Sequence, residues 1–447
     1  MNNNAHSNNI LLNLGIEELN EMQEVAQEAI LDSSDVLLLS PTGSGKTLAF
    51  LLPIFQTLSE ESSKVQCLIL VPSRELALQI EQVWKKMGTS FKVNTCYGGH
   101  SIETEIKNLS NPPAVLIGTP GRIADHIDRG TFETDSIKTL ILDEFDKSLQ
   151  LGFHEQMSFI IARLPKVNKR VMVSATDGIE IPKYTKVHKP LVLNFLVDDQ
   201  DDTNLTTKLV VSPEKDKLET LFNLICSFKS ESAIIFCNHR DAAERISDLL
   251  NEKGVSVTYY HGGMDQDERE RALIQFRNGS VRYLITTDLA ARGLDIPDMK
   301  HVVHYHLPSK IDEYTHRNGR TARMTASGTA YILYNEAEKK ADYLDYKMPV
   351  LDVKNSTTLP KSPEFKTVYI SGGKKNKLNK IDIVGFFGQV GGLDKSEIGI
   401  IEVKDFISFV AVKSAKVSSL LTAIRDKKMK GKKFKIEVAR NVVKKEE

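Results

Sequence analysis

The segment PTGSGKT at residues 41–47 constrains the fold of this chain more than any other stretch. It follows the apolar run 36–39 and leads into the apolar segment TLAFLLPIF. An apolar strand, a glycine-rich turn and a helix form the setting of a phosphate-binding loop, because glycines let the backbone approach phosphate oxygens and the helix directs free N–H groups at them. Lys46 adds a charge near the β- and γ-phosphates, and Thr47 offers a hydroxyl to Mg²⁺. The alternative is a glycine-rich turn that only caps a helix.

Length and cysteine usage limit the class of protein. A chain of 447 residues is long enough for about two to four domains. Its four cysteines are widely spaced without a CxxC pair, which argues against a zinc site or a disulfide framework and favours buried thiols in a reducing compartment. No segment has the pattern of a signal peptide or of a bilayer-spanning helix. We expect a soluble, cytoplasmic protein with no membrane partner.

Charge is distributed unevenly along the chain. The formal net charge is zero, yet residues 361–447 contain 20 Lys and Arg against 10 Asp and Glu. The preceding residues carry the opposite imbalance, 39 basic against 49 acidic side chains. A basic module behind an acidic body predicts a contact with nucleic acid or another polyanion at the C-terminal end.

Apolar runs of strand length alternate with amphipathic helical segments in two successive series. The runs are continuous, as in parallel strands buried on both faces of a sheet. This predicts two doubly wound α/β lobes with a ligand cleft between them. The last segment has the βαββαβ order of an RRM-like sheet. The predicted divisions are a disordered leader (1–9), lobe 1 (10–196), a linker (197–204), lobe 2 (205–347), a second linker (348–364), the RRM-like domain (365–440) and a tail (441–447).

The run DEFD at 143–146 ends a buried apolar strand. We expect it at the sheet edge beside the phosphate loop of a neighbouring strand, where carboxylates hold Mg²⁺ and orient water. Asp143, together with Thr47, is the candidate Mg²⁺ ligand. Glu144 is the candidate that positions and activates the attacking water. The alternative is a solvated acidic turn.

In the order of its motifs, the chain resembles the DEAD-box RNA helicases over about residues 10–350. These are ATPases built from two RecA-like lobes, so the resemblance implies ATP and Mg²⁺ as cofactors and RNA as a partner. Gln23 matches the glutamine that reads adenine, and Asp295 matches a contact to the ribose. The loop residues assigned to the nucleotide are Thr42, Gly43, Ser44, Gly45, Lys46 and Thr47.

The resemblance also implies RNA contacts in both lobes. Small residues and helix N-termini present N–H groups to phosphates, and arginines add positive charge. The residues that match RNA-binding motifs are Arg74, Gly98, Gly99, Thr119, Gly121, Arg122, Arg269 and Thr286. Nucleotide state is expected to be coupled to lobe closure through Asp146, Ser174, Thr176 and His316, with the SAT residues hydrogen-bonded to Asp146, the second aspartate of the DEFD run. Taken singly, each motif could be a helix cap or a turn.

The segment HRNGRTAR at 316–323 carries two arginines, Arg320 and Arg323, that share one helical face. The resemblance implies that both contact the γ-phosphate, with Arg323 as the arginine finger. Such a finger neutralises charge on the transferred phosphoryl group and is worth about 10³–10⁵ in rate. Lys46 belongs to lobe 1 and the arginines to lobe 2, so hydrolysis is expected to require closure, which bound RNA favours.

The chain departs from the family pattern at several positions. Phe145 stands where the family has alanine, so the packing behind the phosphate loop is in question. Ser40 replaces a small apolar residue, and Ala322 replaces a glycine. No aromatic residue occupies the family position upstream of Gln23 that stacks on adenine, which predicts weaker nucleotide binding or another ring in its place.

The last domain resembles the RNA-binding domain of DbpA-type helicases. Tyr369 and Phe409 match aromatic positions of the RRM sheet, where rings stack on bases. Lys374, Lys375 and Lys377 are placed to neutralise phosphates. The alternative is a solvated basic face with core aromatics. In that family the domain binds a hairpin of large-subunit ribosomal RNA, which implies that target and pre-ribosomal particles as partners of a monomeric protein.

Three functions remain open from the sequence. The first is an ATP-dependent RNA helicase that acts on structured ribosomal RNA. The second is an RNA-stimulated ATPase that clamps RNA or remodels RNA–protein complexes with little strand separation. The third is a catalytically silent RNA-binding scaffold, against which the intact set of Lys46, Asp143, Glu144, Arg320 and Arg323 argues.

Overall fold

A computed structural model describes residues 9–41, 43–99, 101–196, 205–288, 299–321, 327–355 and 358–439. The described residues form two compact units, one up to residue 196 and the other from residue 205 onward. Thr42, Asp295, Ala322 and Arg323 lie outside the described residues. So do the predicted first linker, the C-terminal tail and all but the last residue of the leader.

The first unit is built on a seven-stranded sheet in the order β3-β4-β2-β5-β6-β1-β7, with every pair of strands parallel. Its strands are β1 (Asp35–Leu39), β2 (Cys67–Leu70), β3 (Val93–Cys96), β4 (Val115–Gly118), β5 (Thr139–Leu142), β6 (Lys169–Ser174) and β7 (Leu191–Asn194). Its helices are α1 (Glu21–Asp32), α2 (Lys46–Thr57), α3 (Arg74–Met87), α4 (Ile102–Leu109), α5 (Pro120–Asp128), α6 (Phe145–Gln150) and α7 (His154–Ala162).

Alternation along β1 shows that both faces of this sheet are covered. Val36 and Leu38 belong to one apolar cluster, whereas Leu37 and Leu39 belong to a second cluster on the opposite face. All four side chains are at least nine-tenths buried. The continuous apolar runs therefore identified parallel strands covered on both sides, as predicted.

One prediction about strand neighbours was wrong. The strand of the phosphate loop, β1, pairs with β6 and β7, and the strand of the DEFD run, β5, pairs with β2 and β6. The strand that carries the SAT motif therefore lies between the loop and the acids. Strand order depends on pairing across the sheet, which apolar runs alone do not encode.

The second unit contains a six-stranded parallel sheet in the order β10-β11-β9-β12-β13-β8. Its strands are β8 (Leu205–Val211), β9 (Ala233–Phe236), β10 (Val257–Tyr260), β11 (Tyr283–Thr286), β12 (His301–His304) and β13 (Gly328–Tyr334). Its helices are α8 (Leu218–Ser227), α9 (Arg240–Glu252), α10 (Gln266–Arg277) and α11 (Ile311–Asn318). Part of the predicted second linker packs on this lobe, because the backbone of Leu209 hydrogen-bonds Pro349 and Leu351.

The C-terminal domain belongs to the same unit and has an antiparallel sheet in the order β15-β16-β14-β17. Its elements are β14 (Phe365–Ile370), α12 (Lys380–Gln389), β15 (Ile398–Val403), β16 (Ser408–Lys413), α13 (Val417–Ala423) and β17 (Ile436–Val438). The predicted βαββαβ order is thereby confirmed. Val368 and Val410 face the domain's own helices, where they pack with Phe387 and Leu420.

The opposite face of this small sheet is covered by lobe 2. Phe409 of β16 and Ala439 pack with Ile274 of α10 in an apolar group that we call the docking cluster. Tyr369 and Ile407 are partly buried against it. The side-chain amide of Gln275 donates to the Ala439 carbonyl at 3.3 Å in the same buried contact.

The cysteines and the helix lengths test two predictions, that the thiols are buried and that no segment spans a bilayer. All four cysteines are buried free thiols, as expected. Burial raises the pKa of Cys237 to about 12, so its thiol stays protonated at neutral pH. Within the described ranges, no helix combines the length and the apolar character needed to cross a membrane.

Candidate nucleotide site and RNA-binding surfaces

The phosphate loop has the backbone that its glycines predict. Gly43 and Gly45 have φ angles of 88° and 91°, a region that other residues rarely adopt, and Gly45 caps the N-terminus of α2. A Cβ atom at Gly45 would lie 2.4 Å from the side-chain nitrogen of Gln23. The Lys46 ammonium donates to the Ser40 carbonyl at 2.6 Å, which keeps this cation at the loop.

Gln23 contacts the loop directly. It sits at the third position of α1, where it and Asn20 form a reciprocal capping box. Its amide nitrogen donates to the Gly45 carbonyl at 3.2 Å, and the Asn20 amide donates to the Ser44 carbonyl at 3.1 Å. The start of α1 is thereby fastened to the phosphate loop, with the Gln23 amide at the loop backbone.

The first two acids of the DEFD run follow β5 and lie in unlike environments. Burial, reinforced by the charge of Glu144 and opposed by that of Lys46, raises the pKa of Asp143 to about 7. Glu144 has a left-handed backbone, with φ 46°, and its N–H donates to the Asp143 carboxylate at 2.9 Å. Asp143 is also close enough to Lys46 of the phosphate loop for the two charges to interact. A carboxylate in that place suits a hard divalent cation such as Mg²⁺.

The coupling residues make local contacts. The hydroxyl of Ser174 donates to the Thr176 carbonyl at 2.9 Å and accepts from the Thr176 N–H at 3.0 Å. Asp146 is buried, and the Lys147 ammonium lies 2.8 Å from one of its oxygens. That ion pair lacks hydrogen-bond geometry, and among the described residues nothing donates a hydrogen bond to either Asp146 oxygen. Asp146 therefore receives no hydrogen bond from the SAT residues in this structure.

Phe145 is accommodated in the core. It is fully buried in the apolar cluster that contains Leu39, Leu142, Met157 and Met172. The ring packs in the cluster on the face of the sheet that carries Leu37 and Leu39, while Asp143 and Glu144 stay between the end of β5 and the start of α6. The large side chain of this residue is therefore accommodated by the apolar cluster around it.

The first-lobe RNA motifs line one cavity of about 510 Å³. Its lining residues are Gly98, Ile102, Thr119, Gly121, Arg122, Asp125, Arg129 and Phe153. Nearby, the Arg74 guanidinium lies 4.7 Å from the centre of the Tyr97 ring, next to the Gly98–Gly99 pair. The structure thus brings together motif residues that are up to about 50 positions apart in the sequence.

A buried acid that the sequence did not single out holds this surface together. Glu105 of α4 accepts hydrogen bonds from the Tyr97 N–H at 3.1 Å and pairs with His126 at 2.7 Å. The same carboxylate lies 3.3 Å from the Arg122 guanidinium. Cys96 completes a set of donors of the kind that bind metals, but Arg122 already neutralises the carboxylate. In the segment IETEIKNL this glutamate looks like a solvated helix residue, so no sequence signal identified it.

Arg317 is a second residue that the sequence analysis missed. Its guanidinium donates to both oxygens of Asp288 at 2.6 Å, to the Asn238 side chain at 2.9 Å and to the His306 carbonyl at 2.5 Å. The side chain is 1% exposed. It ties together the segments that follow β9, β11 and β12, so the first arginine of the HRNGRTAR segment is structural. Arg320 is also buried, and its carbonyl accepts the Met299 N–H at 3.1 Å.

Two further predicted residues of lobe 2, Arg269 and Thr286, lie at the carboxyl ends of its strands. Arg269 of α10 donates to the Tyr260 hydroxyl at 3.1 Å and lies 5.3 Å from that ring. Thr286 is fully buried, and its hydroxyl donates to the Thr287 carbonyl at 3.2 Å. His316 lies on α11, where its side chain is partly buried.

The C-terminal domain differs from the arrangement predicted for its aromatic residues. Tyr369 and Phe409 lie opposite each other on β14 and β16, with ring centres 5.7 Å apart. Phe409 is 1% exposed because Ile274 of α10 packs against it, so it presents no ring face to a base. Lys374 and Lys375 are exposed on a 3-10 turn that Lys377 ends. Among the described residues, no acidic side chain pairs with these three lysines.

Three family models match successive parts of the chain. The DEAD/DEAH box helicase model matches residues 20–181, the helicase conserved C-terminal domain matches 216–325, and the DbpA RNA binding domain matches 367–438. An ATP-dependent RNA helicase DbpA of Bacillus subtilis is 30% identical over 458 residues, covering 95% of this chain and 96% of that protein. The protein of the same name from Escherichia coli is 32% identical over 435 residues, covering 95% of each.

Solved structures match the helicase part. Dbp5 of S. cerevisiae bound to RNA and ADP BeF3 has a TM-score of 0.65 and 29% identity, and the match covers 73% of this chain and 86% of that one. Mss116p bound to single-stranded RNA and AMP-PNP has a TM-score of 0.65 and 26% identity over 73% and 72% of the two chains. The two parallel-sheet lobes are therefore of the RecA-like type.

Proposed function

The chain belongs to the DEAD-box family of ATP-dependent RNA helicases, of the DbpA type, and on that premise we propose that it remodels structured large-subunit ribosomal RNA during ribosome assembly. It acts as a monomer on pre-ribosomal particles. The observation that carries this proposal is the exposed lysine turn that Lys377 ends, whose lysines pair with no acidic side chain of the described residues, on a domain joined to lobe 2 by a buried apolar contact. Tethering raises the local concentration of nearby duplex for the ATPase lobes, so target choice and unwinding reside in different parts of the chain.

Each residue of the nucleotide site has a proposed task. Lys46 binds the terminal phosphates, and Thr47 and Asp143 hold Mg²⁺, which supplies charge neutralisation on the phosphates when bound. Glu144 orients and activates the attacking water. Gln23 reads the adenine, and Asp295 contacts the ribose. Arg320 and Arg323 stabilise charge at the γ-phosphate.

The proposed RNA contacts are to the backbone, through the cavity beside Arg122 and through residues of lobe 2. Two features support this: small residues at the cavity wall, and a guanidinium held in place by a buried carboxylate. A strand held by its phosphates can be bent without regard to sequence. The residues assigned to RNA are Arg74, Gly98, Gly99, Thr119, Gly121, Arg122, Arg269, Thr286, Lys374, Lys375 and Lys377.

Phosphate release tests the enzymatic part. Wild type and Glu144→Gln are compared with and without RNA, and Glu155→Gln serves as a matched control because Glu155 is exposed on α7. Loss of the water-activating carboxylate is expected to lower RNA-stimulated release by about 10²–10⁴-fold. The control should match wild type. Equal, background-level release by all three proteins would favour an RNA-binding scaffold instead.

Competition between RNAs tests the target. Lys374 and Lys375 are both replaced by glutamine in the full chain, since deleting the domain would expose the docking cluster. We expect the double variant to lose its preference for large-subunit ribosomal RNA while poly(U) still stimulates its ATPase. A double variant that keeps the full ribosomal preference would show that specificity lies elsewhere.

A further inference from the structure

An exposed phenylalanine lies at the end of the hairpin that joins β15 and β16. Phe406 is 65% exposed, whereas Phe409, three residues later, is 1% exposed. Hairpin turns favour Gly, Asn and Asp, which tolerate their backbone angles, and a large ring there gains nothing from packing. Asp405, the other residue of the turn, is exposed and polar, as expected for such a position.

The hairpin end is built against the lysine turn. The Lys374 N–H donates to the Lys404 carbonyl, and the Lys375 N–H donates to the Asp405 carbonyl, both at 2.8 Å. Gly373 makes this approach possible, since a Cβ atom there would lie 2.2 Å from the Lys404 oxygen. The ring of Phe406 and the exposed lysines therefore belong to one rigidly connected surface.

The charges around this surface favour an anionic ligand. The ammonium groups of Lys374 and Lys375 form no ion pair with an acidic side chain of the described residues. Both therefore remain available to phosphates. Lys404 lies 3.5 Å from Glu402 and 3.9 Å from Glu270, which leaves it partly neutralised. Asp405 is the one acidic residue of the turn itself, and its side chain is exposed, so water screens its charge.

We propose that Phe406 is the base-stacking residue of the C-terminal domain, where an unpaired RNA base lies on its ring while Lys374 and Lys375 hold the adjoining phosphates. Stacking on an aromatic ring next to a cationic track is a common way to hold single-stranded RNA. In the docking cluster α10 covers the ring of Phe409, so the exposed ring in the turn is the one that can stack on a base. This inference rests on the proposed function only in taking RNA as the ligand.

Four full-length proteins test the assignment: wild type, Phe406→Tyr, Phe406→Leu and Phe406→Ala. The probe is fragmented large-subunit ribosomal RNA, with fragmented unrelated structured RNA in parallel. A stacking contact worth about 1–3 kcal/mol corresponds to binding weakened by about 5- to 150-fold in the Leu and Ala variants, with Tyr close to wild type. A purely apolar contact would instead let Leu substitute for the ring. Thermal melting should be unchanged in all four, since the side chain is exposed.

Photocrosslinking identifies the contact itself. RNA substituted with 5-bromouridine should give an adduct at residue 406 in wild type and in the Tyr variant only. The inference is overturned if the Leu and Ala variants bind RNA as tightly as wild type, or if no adduct forms at 406. If wild type shows no preference for the ribosomal fragments, the proposed target is wrong. The difference in affinity for the unrelated RNA between the Phe406→Tyr and Phe406→Ala variants then still decides the role of Phe406.

Discussion

The parallel sheet of lobe 1 and the antiparallel sheet of the C-terminal domain bury their faces in different ways. Both faces of the first are covered within its own unit by apolar clusters, so its functional groups lie in the loops at the strand ends. The second covers one face with its own helices and the other with α10 of lobe 2. In a parallel sheet the location of chemistry follows from strand direction, whereas the role of an antiparallel face depends on what packs against it.

This comparison has a consequence for reading aromatic positions. Phe145 in lobe 1 and Phe409 in the C-terminal domain are both fully buried. Phe145 is buried by its own lobe, next to acids that remain at the sheet edge. Phe409 is buried by a helix about 135 residues earlier in the chain, and that contact removes it from the RNA-binding surface. An aromatic residue on an RRM-like strand is therefore a base platform only if the face stays open.

The largest expected effect comes from placing a charge in the docking cluster. Ile274 is fully buried, so Ile274→Asp should cost roughly 3–5 kcal/mol, the penalty of an uncompensated buried charge. Urea unfolding of the full chain measures the loss, and limited proteolysis should release the C-terminal domain. Ile381 of α12 is 82% exposed and provides the matched control, Ile381→Asp, with a change within about 0.5 kcal/mol. Equal losses in the two variants would mean that α10 does not cover the sheet in solution.

The second effect concerns the buried acid at the edge of the lobe 1 sheet. Burial raises the pKa of Asp143 to about 7, above its unfolded value of 3.8, so folding favours the protonated form. The free energy of unfolding should therefore fall as pH rises from about 4 to about 7. Asp143→Asn removes that dependence and should gain stability over wild type across this window, by on the order of 4 kcal/mol at most.

Thermal unfolding of both proteins between pH 4 and pH 8 measures this difference. The exposed Asp135 of the same lobe supplies the control variant Asp135→Asn, which should follow wild type at every pH. A gain that is the same at pH 4 and at pH 8 would show that ionisation of Asp143 is not its source. The variant should also bind Mg²⁺–nucleotide less tightly.

The third effect concerns the carboxylate that holds the first-lobe RNA motifs. Glu105→Leu leaves Arg122, His126 and the Tyr97 N–H without their acceptor, so we expect RNA to bind about tenfold more weakly, a loss of about 1.4 kcal/mol. Glu105→Gln keeps an acceptor of the same shape and should recover part of the loss. The readout is the RNA concentration that half-saturates ATPase activity, with the saturated rate little changed. A reduced saturated rate with unchanged RNA affinity would place Glu105 outside the RNA surface.

The smallest effect is expected from the ion pair at the edge of the docking cluster. Lys404 lies 3.9 Å from Glu270 of α10, and both side chains keep solvent contact. Such pairs contribute about 0–1 kcal/mol, so Lys404→Ala should change the free energy of unfolding by under about 0.5 kcal/mol. The same urea titration as for Ile274→Asp measures it. A loss as large as that of Ile274→Asp would mean that charge, and not apolar contact, holds the domain on lobe 2.

Much of the candidate site could be predicted because local pattern and chemistry coincide there. The phosphate loop needs glycines, a lysine and a following helix within seven residues, and the structure has Gly43 and Gly45 in the expected left-handed backbone. The acids of the DEFD run follow an apolar strand in both the sequence and the structure. The order of strands and helices in the small domain could likewise be predicted, since the apolar residues of each element follow the periodicity of a strand or of a helix.

What the amino-acid sequence by itself determined, then, is the set of elements and the residues at their ends: two parallel-sheet lobes, a phosphate loop, an acidic strand end and a basic RRM-like module. Only the tertiary structure decided that β6 separates β1 from β5, that Glu105 and Arg317 fix the motif loops, and that α10 closes the face of Phe409. Each of these depends on contacts between residues far apart in the chain, and packing of that kind leaves no periodic signal in either partner alone.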